Sequence, residues 1–88
     1  MYPAAEKFIA TRRALLDRLE LFLTTDSYRR LQAVVDASDA DLPDAWLAEW
    51  IISPAFGLDG LPIDIVNAPG GVDLLEEHLK RIVHHTGA

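Results

Sequence analysis

Apolar side chains recur along this chain in steps of three and four, and this period constrains the fold more than any other feature. In the first segment the apolar residues that follow these steps are Phe8, Leu15, Leu16, Leu19, Phe22 and Leu23. An α-helix turns once every 3.6 residues, so such side chains share one stripe of a helix. We therefore expect a first helix from Pro3 to Leu23, with this stripe against the core.

Further helices are predicted at 27–37, from Pro43 to the Ser53-Pro54 step, at 62–67 and at 72–85. Each has its own apolar stripe: Tyr28, Leu31, Val34 and Val35; then Trp46, Leu47, Trp50 and Ile51; then Val72, Leu75, Leu79 and Ile82. Pro43 and Pro62 suit the first turn of a helix, where a missing N–H costs nothing. No segment alternates convincingly with period two. The predicted fold class is all-α, a small single-domain bundle of about five helices.

The size of the chain predicts a dimer. A chain of 88 residues buries only about 60–65% of the surface that its unfolded form exposes, so a second copy would add stability. Of the two tryptophans, which lie on one helix face, we expect Trp50 in the core and Trp46 partly exposed or at a dimer contact.

The absence of cysteine excludes disulfides, thiolate zinc sites and cysteine nucleophiles. It fits a reducing cytoplasm, which is the location that we expect. Residues 1–13 lack the apolar run of a signal peptide. The chain also has no stretch of 18 consecutive apolar residues, so no membrane partner is predicted.

The net charge of −6 is unevenly distributed. From Asp36 to Glu77 there are ten acidic residues and no Lys or Arg. Such a stretch repels nucleic acid phosphates and speeds encounter with a basic partner, although it also serves solubility alone. The basic residues cluster earlier, and five of them are arginines: Arg12, Arg13, Arg18, Arg29 and Arg30.

DNA binding by this chain alone is not the expectation from these arginines. The first helix is too long for a helix-turn-helix, and the run from Thr24 to Ser27 lacks a small-residue turn between two short helices. Arginines on a solvated helix face, with their stems covering apolar surface, are the simpler interpretation.

No constellation for catalysis, a cofactor or a metal ion is visible, so we expect a protein that is not an enzyme. His78, His84 and His85 lie on or just beyond the last predicted helix and include no His-x-x-x-His pair. We expect them to be exposed. The glycines at 57, 60, 70 and 71 match neither the dinucleotide nor the phosphate-loop pattern.

The second half of the chain carries an ordered set of features. The set runs Trp50-Ile51-Ile52-Ser53-Pro54, then Phe56-Gly57-Leu58-Asp59-Gly60-Leu61-Pro62-Ile63-Asp64, then Gly70-Gly71, then Leu79-Lys80-Arg81-Ile82. This order resembles the Xre/MbcA/ParS-type toxin-binding domain of bacterial antitoxins. The positions that match its pattern are Trp50, Pro54, Leu58, Gly60, Pro62, Gly71, Leu79, Arg81 and Ile82. The resemblance covers residues 45–88 and leaves 1–44 as an N-terminal helical region without a clear helix-turn-helix.

The resemblance implies a partner and a contact surface. Domains of this family bind toxins of the RES fold, which consume NAD or transfer ADP-ribose from it. The C-terminal end of the antitoxin lies at or near the entrance of the toxin's active site. Carried over by position, the toxin-binding residues are Lys80, Arg81, His84, His85, Thr86, Gly87 and Ala88. His85 stands where family members often have glycine, and Thr86-Gly87 where bulky apolar residues are usual.

Two functions therefore remain open. The first is an antitoxin of a type II toxin–antitoxin system that neutralises a RES-type toxin by direct binding. The alternative is a DNA-associated transcriptional regulator, or a dimeric interaction module without a toxin partner, and its supporting feature is the basic first helix.

Overall fold

The computed structural model describes the backbone of residues 2–38, 41–55 and 57–87, and the side chains of these residues up to His84. In these ranges every regular element is a helix. The prediction of a small all-α bundle is therefore confirmed. The elements are α1 (Pro3–Phe22), α2 (Asp26–Asp36), α3 (Trp46–Ile51), α4 (Pro62–Ile65) and α5 (Gly71–Gly87). Among the described helices, none has the combination of length and apolarity that a bilayer crossing requires.

The junction between α1 and α2 is closed by threonine hydroxyls. Thr25 is the N-cap of α2, and its Oγ1 accepts a hydrogen bond from the Tyr28 N–H at 3.2 Å. The same hydroxyl donates to the Phe22 carbonyl at 2.7 Å, at the end of α1. The Phe22 carbonyl also accepts from the Thr25 N–H at 3.0 Å. One side chain thus satisfies a free donor of α2 and adds a second bond to the last carbonyl of α1.

Replacing Thr25 with alanine should therefore lower the free energy of unfolding by about 1 kcal/mol, the usual cost of a lost N-cap. Thr24→Ala is the matched control, because the Thr24 hydroxyl donates to the Leu21 carbonyl in the last turn of α1 and does not cap α2. The control should change stability by less than about 0.5 kcal/mol. Urea unfolding followed by circular dichroism measures both. Equal effects of the two substitutions would contradict the bridging role of Thr25.

The third helix begins later than predicted. Pro43 lies before α3 rather than in its first turn, because the segment 43–46 forms a tight turn in which the Trp46 N–H bonds the Pro43 carbonyl at 3.0 Å. At the other end the Ser53 hydroxyl donates to the Glu49 carbonyl at 2.7 Å, and Pro54 follows. The Ser53-Pro54 step thus ends the helix as expected.

The fourth helix is a single turn. Pro62 occupies its first position as predicted, and the helix ends at Ile65 rather than at Asn67. It ends there because the Ala68 N–H turns back to the Ile65 carbonyl at 3.0 Å, an i to i−3 bond that tightens the chain out of the α conformation. The chain then passes through Gly70 into α5.

The core is formed where α2 and α4 pack on α5 and α3 packs against α2 and α4, with α2 and α5 in the most extensive contact. Its members are aliphatic apart from one phenylalanine. The buried apolar residues are Leu19, Phe22, Leu31, Leu47, Ile51, Ile52, Ile63, Leu75, Leu79 and Val83. The predicted stripes of the second, third and fifth helices all contribute to this cluster.

The prediction for the face of α1 was wrong in part. Leu19 and Phe22 are buried and Leu15 packs against the core, whereas Phe8, Leu16 and Leu23 are exposed. A helix of 20 residues is about 30 Å long, and the short helices of this chain cover only its C-terminal turns. The N-terminal turns of α1 extend past the core, which fits a molecule measuring 46 × 28 × 24 Å.

Candidate functional site

The family-like positions in the 58–62 segment set the path of the chain. Gly60 has φ +126°, a conformation that L side chains rarely adopt, and an added Cβ would meet nothing within 4 Å. Glycine is required there for its backbone freedom rather than for space. Leu58 packs against the core on one side of it, and Pro62 is buried at the start of α4 on the other. These residues therefore form scaffold.

Gly71 has the opposite requirement. A Cβ at this residue would lie 1.8 Å from the Ile65 carbonyl oxygen and 2.8 Å from the Ile65 carbonyl carbon. The obstacle is backbone, so it cannot rotate away. The first residue of α5 therefore sits directly on the last residue of α4, and glycine allows this approach. Gly71 fixes where α5 starts and hence where its far end lies.

Buried side chains and ion pairs fix α5 against the other helices. Leu75, Leu79 and Val83 are fully buried on this face. From α2, the Arg30 guanidinium donates to Asp73 at 2.7 Å and lies 3.2 Å from Glu76. The hydrogen bond to Asp73, together with the charge of Glu76, raises the pKa of Arg30 above its ordinary value. The helix is thus anchored from its first turn to Val83.

An aromatic row lies where α3 meets α5. The rings of Trp46 and Trp50 stack at 6.2 Å, and the Trp50 ring stacks on His78 at 6.3 Å. Both tryptophans are half-buried, so Trp50 is less buried than predicted, while Trp46 is partly exposed as expected. His78 was wrongly expected to be exposed, since its Nε2 is buried and has no hydrogen-bond partner among the described residues. A Cβ at Gly57 would lie 3.2 Å from the His78 ring.

The predicted toxin-binding residues lie in the last turns of α5 and after it, beginning at Lys80 on the side away from the buried Leu79 and Val83. Arg81 and His84 are exposed on α5, and Ile82 is half-buried between them. The Lys80 ammonium lies 3.7 Å from both Glu76 and Glu77, so its charge is partly offset. The side chains of residues 85–88 lie outside the described part of the chain, and His85, Thr86, Gly87 and Ala88 stay predictions as contacts.

A shallow apolar groove runs beside these residues, between the C-terminal ends of α2 and α5. Its volume is about 140 Å³. The residues that line it are Val34, Ala37, Ser38, Lys80, Val83 and His84. Lys80 and His84 lie at the rim of this groove. An apolar groove with such side chains at its rim can bind a partner that offers an apolar side chain with a carboxylate beside it.

The charge separation seen in the sequence is partly neutralised in the fold. Arg18 bonds Asp64 at 2.6 Å, just as Arg30 bonds Asp73. The acidic stretch therefore supplies internal partners for the basic N-terminal helices as well as an external field. These pairs, separated by more than forty residues, were not predicted from the sequence.

The described side chains contain no group of three or more His, Asp or Glu placed to hold a metal ion. Comparisons of the chain with protein-family models, with curated proteins and with solved structures found no match.

Proposed function

We propose that this chain is an antitoxin of a bacterial type II toxin–antitoxin system, and that it acts in the cytoplasm without catalytic activity. It neutralises a RES-type toxin, which consumes NAD or transfers ADP-ribose, by binding it directly. The observation that carries the proposal is the end of α5, where exposed Arg81 and His84 project from a helix whose opposite face is buried. A binding helix held in this way loses little conformational freedom when a partner binds.

The charges of the chain suit such a partner. A protein that binds the pyrophosphate of NAD needs cationic groups around its site. The exposed carboxylates of this chain, such as Asp41, Glu49 and Asp59, favour encounter with a basic surface. At the point of contact, the planar guanidinium of Arg81 can donate two parallel hydrogen bonds to a carboxylate of the toxin. The acidic surface would thus bring the partners together and Arg81 would set the register.

The alternative function in DNA-associated regulation has less support. Arg18, Arg29 and Arg30 each lie in an ion pair with a carboxylate of the same chain. Each such carboxylate would have to be displaced, or would repel phosphate, in a DNA complex. Arg12 and Arg13, the other two of the five arginines, are exposed. Two phosphate contacts alone would provide weak and strongly salt-dependent DNA binding.

Growth rescue tests the proposal. The proposal predicts that the adjacent gene encodes a RES-type toxin. Co-expression of this chain with the product of that gene should restore growth of a bacterial host, and Arg81→Glu should abolish the rescue. We expect the substitution to weaken the complex about 30-fold or more, as for reversal of a paired interface charge. Lys7→Glu is the matched control, because Lys7 is exposed on α1 and the change in charge is the same.

The proposal fails if the wild-type chain gives no rescue, or if Arg81→Glu and Lys7→Glu rescue growth equally well. Circular dichroism of both variants should show the wild-type helix content, because neither side chain is buried. Loss of rescue without loss of fold then assigns the effect to binding.

A further inference from the structure

A straight row of exposed apolar residues runs along the whole of α1. Tyr2, Ile9, Leu16 and Leu23 follow one another in steps of seven, from the N-cap to the C-cap of the helix. They are 79%, 51%, 49% and 42% exposed. Seven residues make almost two turns, so the row keeps to one side of the helix, as the seam of a two-helix coil does. Phe8 lies beside the row and is 68% exposed.

The surface of this row has both a projection and a recess. A shallow depression of about 250 Å³ is lined by Phe8, Ile9, Arg12, Arg13 and Leu16. Paired helices insert the side chains of one between those of the other, and a two-fold interface uses the same patch on both copies. Phe8 beside this depression suits such packing against a second copy. The core of the chain uses a neighbouring stripe of α1, that of Leu15, Leu19 and Phe22, so the row is left free.

We propose that this face of α1 is the interface of a homodimer, in which the α1 helices of two copies pair antiparallel. The residues of the row are equally spaced, so a second copy running in the opposite direction presents an apolar residue opposite each of them. The five exposed side chains leave on the order of 500 Å² of apolar surface in water per chain, given 150–250 Å² for a buried aromatic residue. Two chains together reach about 1,000 Å², the lower end for a specific interface.

The direction of pairing follows from the position of the core. The short helices of the chain pack at the C-terminal end of α1, around Leu19 and Phe22. Parallel pairing would bring the two cores to the same end of the helix pair, where they compete for space. Antiparallel pairing places them at opposite ends and also opposes the two helix dipoles. Ile9 of one copy then faces Leu16 of the other, and Tyr2 faces Leu23.

The charges near this row distinguish a second copy of the chain from an acidic protein as the occupant of this face. The two-fold axis passes between Ile9 and Leu16, so Arg12 and Arg13 of both copies gather near the centre of the interface. Each chain also carries a net charge of −6. Both effects are repulsive and both are screened by salt. The homodimer should therefore tighten as ionic strength rises, whereas an acidic partner attracted by the arginines would be released.

Sedimentation equilibrium of the full chain tests the interface. Wild type should be dimeric at a concentration of about 100 μM, and Leu16→Glu should raise the dimer dissociation constant at least about 30-fold. Leu21→Glu is the matched control, since Leu21 is 75% exposed and lies about 140° round the helix from Leu16. Ile9→Glu provides a second variant, placed further from the core in case Leu16→Glu unfolds the chain.

Cysteine pairing tests the direction. The chain has no cysteine of its own, so an Ile9→Cys copy mixed with a Leu16→Cys copy should form the mixed disulfide in preference to either homodimer. The interface is overturned if wild type stays monomeric at 100 μM, a concentration of about the order at which weak dimers form, or if both glutamate variants dimerise like wild type. Preferred Ile9–Ile9 cross-linking overturns the antiparallel arrangement. These results are independent of toxin binding.

Discussion

Replacing Leu75 with alanine should lower the free energy of unfolding by about 3–5 kcal/mol, the range for a fully buried leucine whose cavity cannot collapse. Leu75 has no exposed surface and lies on the face of α5 that packs on the other helices. A domain of this size has a total stability of roughly 5–10 kcal/mol. The loss is a large fraction of this total, so the variant should unfold at a markedly lower urea concentration than wild type.

Leu74→Ala is the control for this prediction. Leu74 is the preceding residue of the same helix and is 54% exposed, so the substitution has the same effect on helix propensity but leaves no cavity. It should cost less than about 1 kcal/mol. Urea unfolding of the three proteins gives the comparison, and a loss in Leu74→Ala as large as that in Leu75→Ala would show that the core is misplaced.

Replacing Gly71 with alanine should lower stability by about 3 kcal/mol, at the upper end for overpacking. The added Cβ would stand 1.8 Å from the Ile65 carbonyl oxygen, and the ends of α4 and α5 would have to separate to admit it. Alanine is the better helix former by about 1 kcal/mol, so propensity alone predicts the opposite sign. The thermal midpoint measured by calorimetry distinguishes the two.

Gly70→Ala is the neighbouring control. Gly70 has φ +74° with nothing within 4 Å of an added Cβ, so its substitution costs only backbone strain, about 1–2 kcal/mol. A Gly71→Ala variant that is as stable as wild type, or less affected than Gly70→Ala, would contradict the close approach of α5 to α4.

Much of the fold could be predicted from local features of the sequence. The apolar period indicated the helices, and Pro62 was placed correctly at the start of α4 because proline acts on its own turn. The errors at Pro43 and Asn67 have one cause. A turn closed by an i to i−3 hydrogen bond stands where the first turn of the third helix and the last turn of the fourth were predicted. Whether a helix end forms such a turn or an α-helical turn depends on packing.

Features that depend on distant parts of the chain could not be predicted. The period of α1 showed that Phe8 and Leu16 are on an apolar face, but not that the rest of the chain is too short to cover them. The burial of the His78 ring beside Trp50 joins residues 28 positions apart, and the Arg30–Asp73 pair joins residues 43 apart. A single sequence gives the type of each side chain but not its partner.

The residues of the candidate site fall into two groups, those explained by the fold and those that are not. The positions that resemble the antitoxin family in the centre of the segment, such as Gly60 and Gly71, have structural explanations in backbone conformation and close contact. The residues that would contact a toxin, such as Arg81 and His84, are exposed, and packing within the described part of the chain does not explain their side-chain types. Binding must therefore be measured directly.

Isothermal titration calorimetry of the purified chain with the product of the adjacent gene, which the proposed function predicts to be a RES-type toxin, tests the central claim most directly. The proposed function predicts a submicromolar dissociation constant, a stoichiometry of one antitoxin end per toxin site, and loss of affinity in Arg81→Glu but not in Lys7→Glu. The absence of binding heat and of a co-eluting complex at micromolar concentrations of both proteins would contradict it.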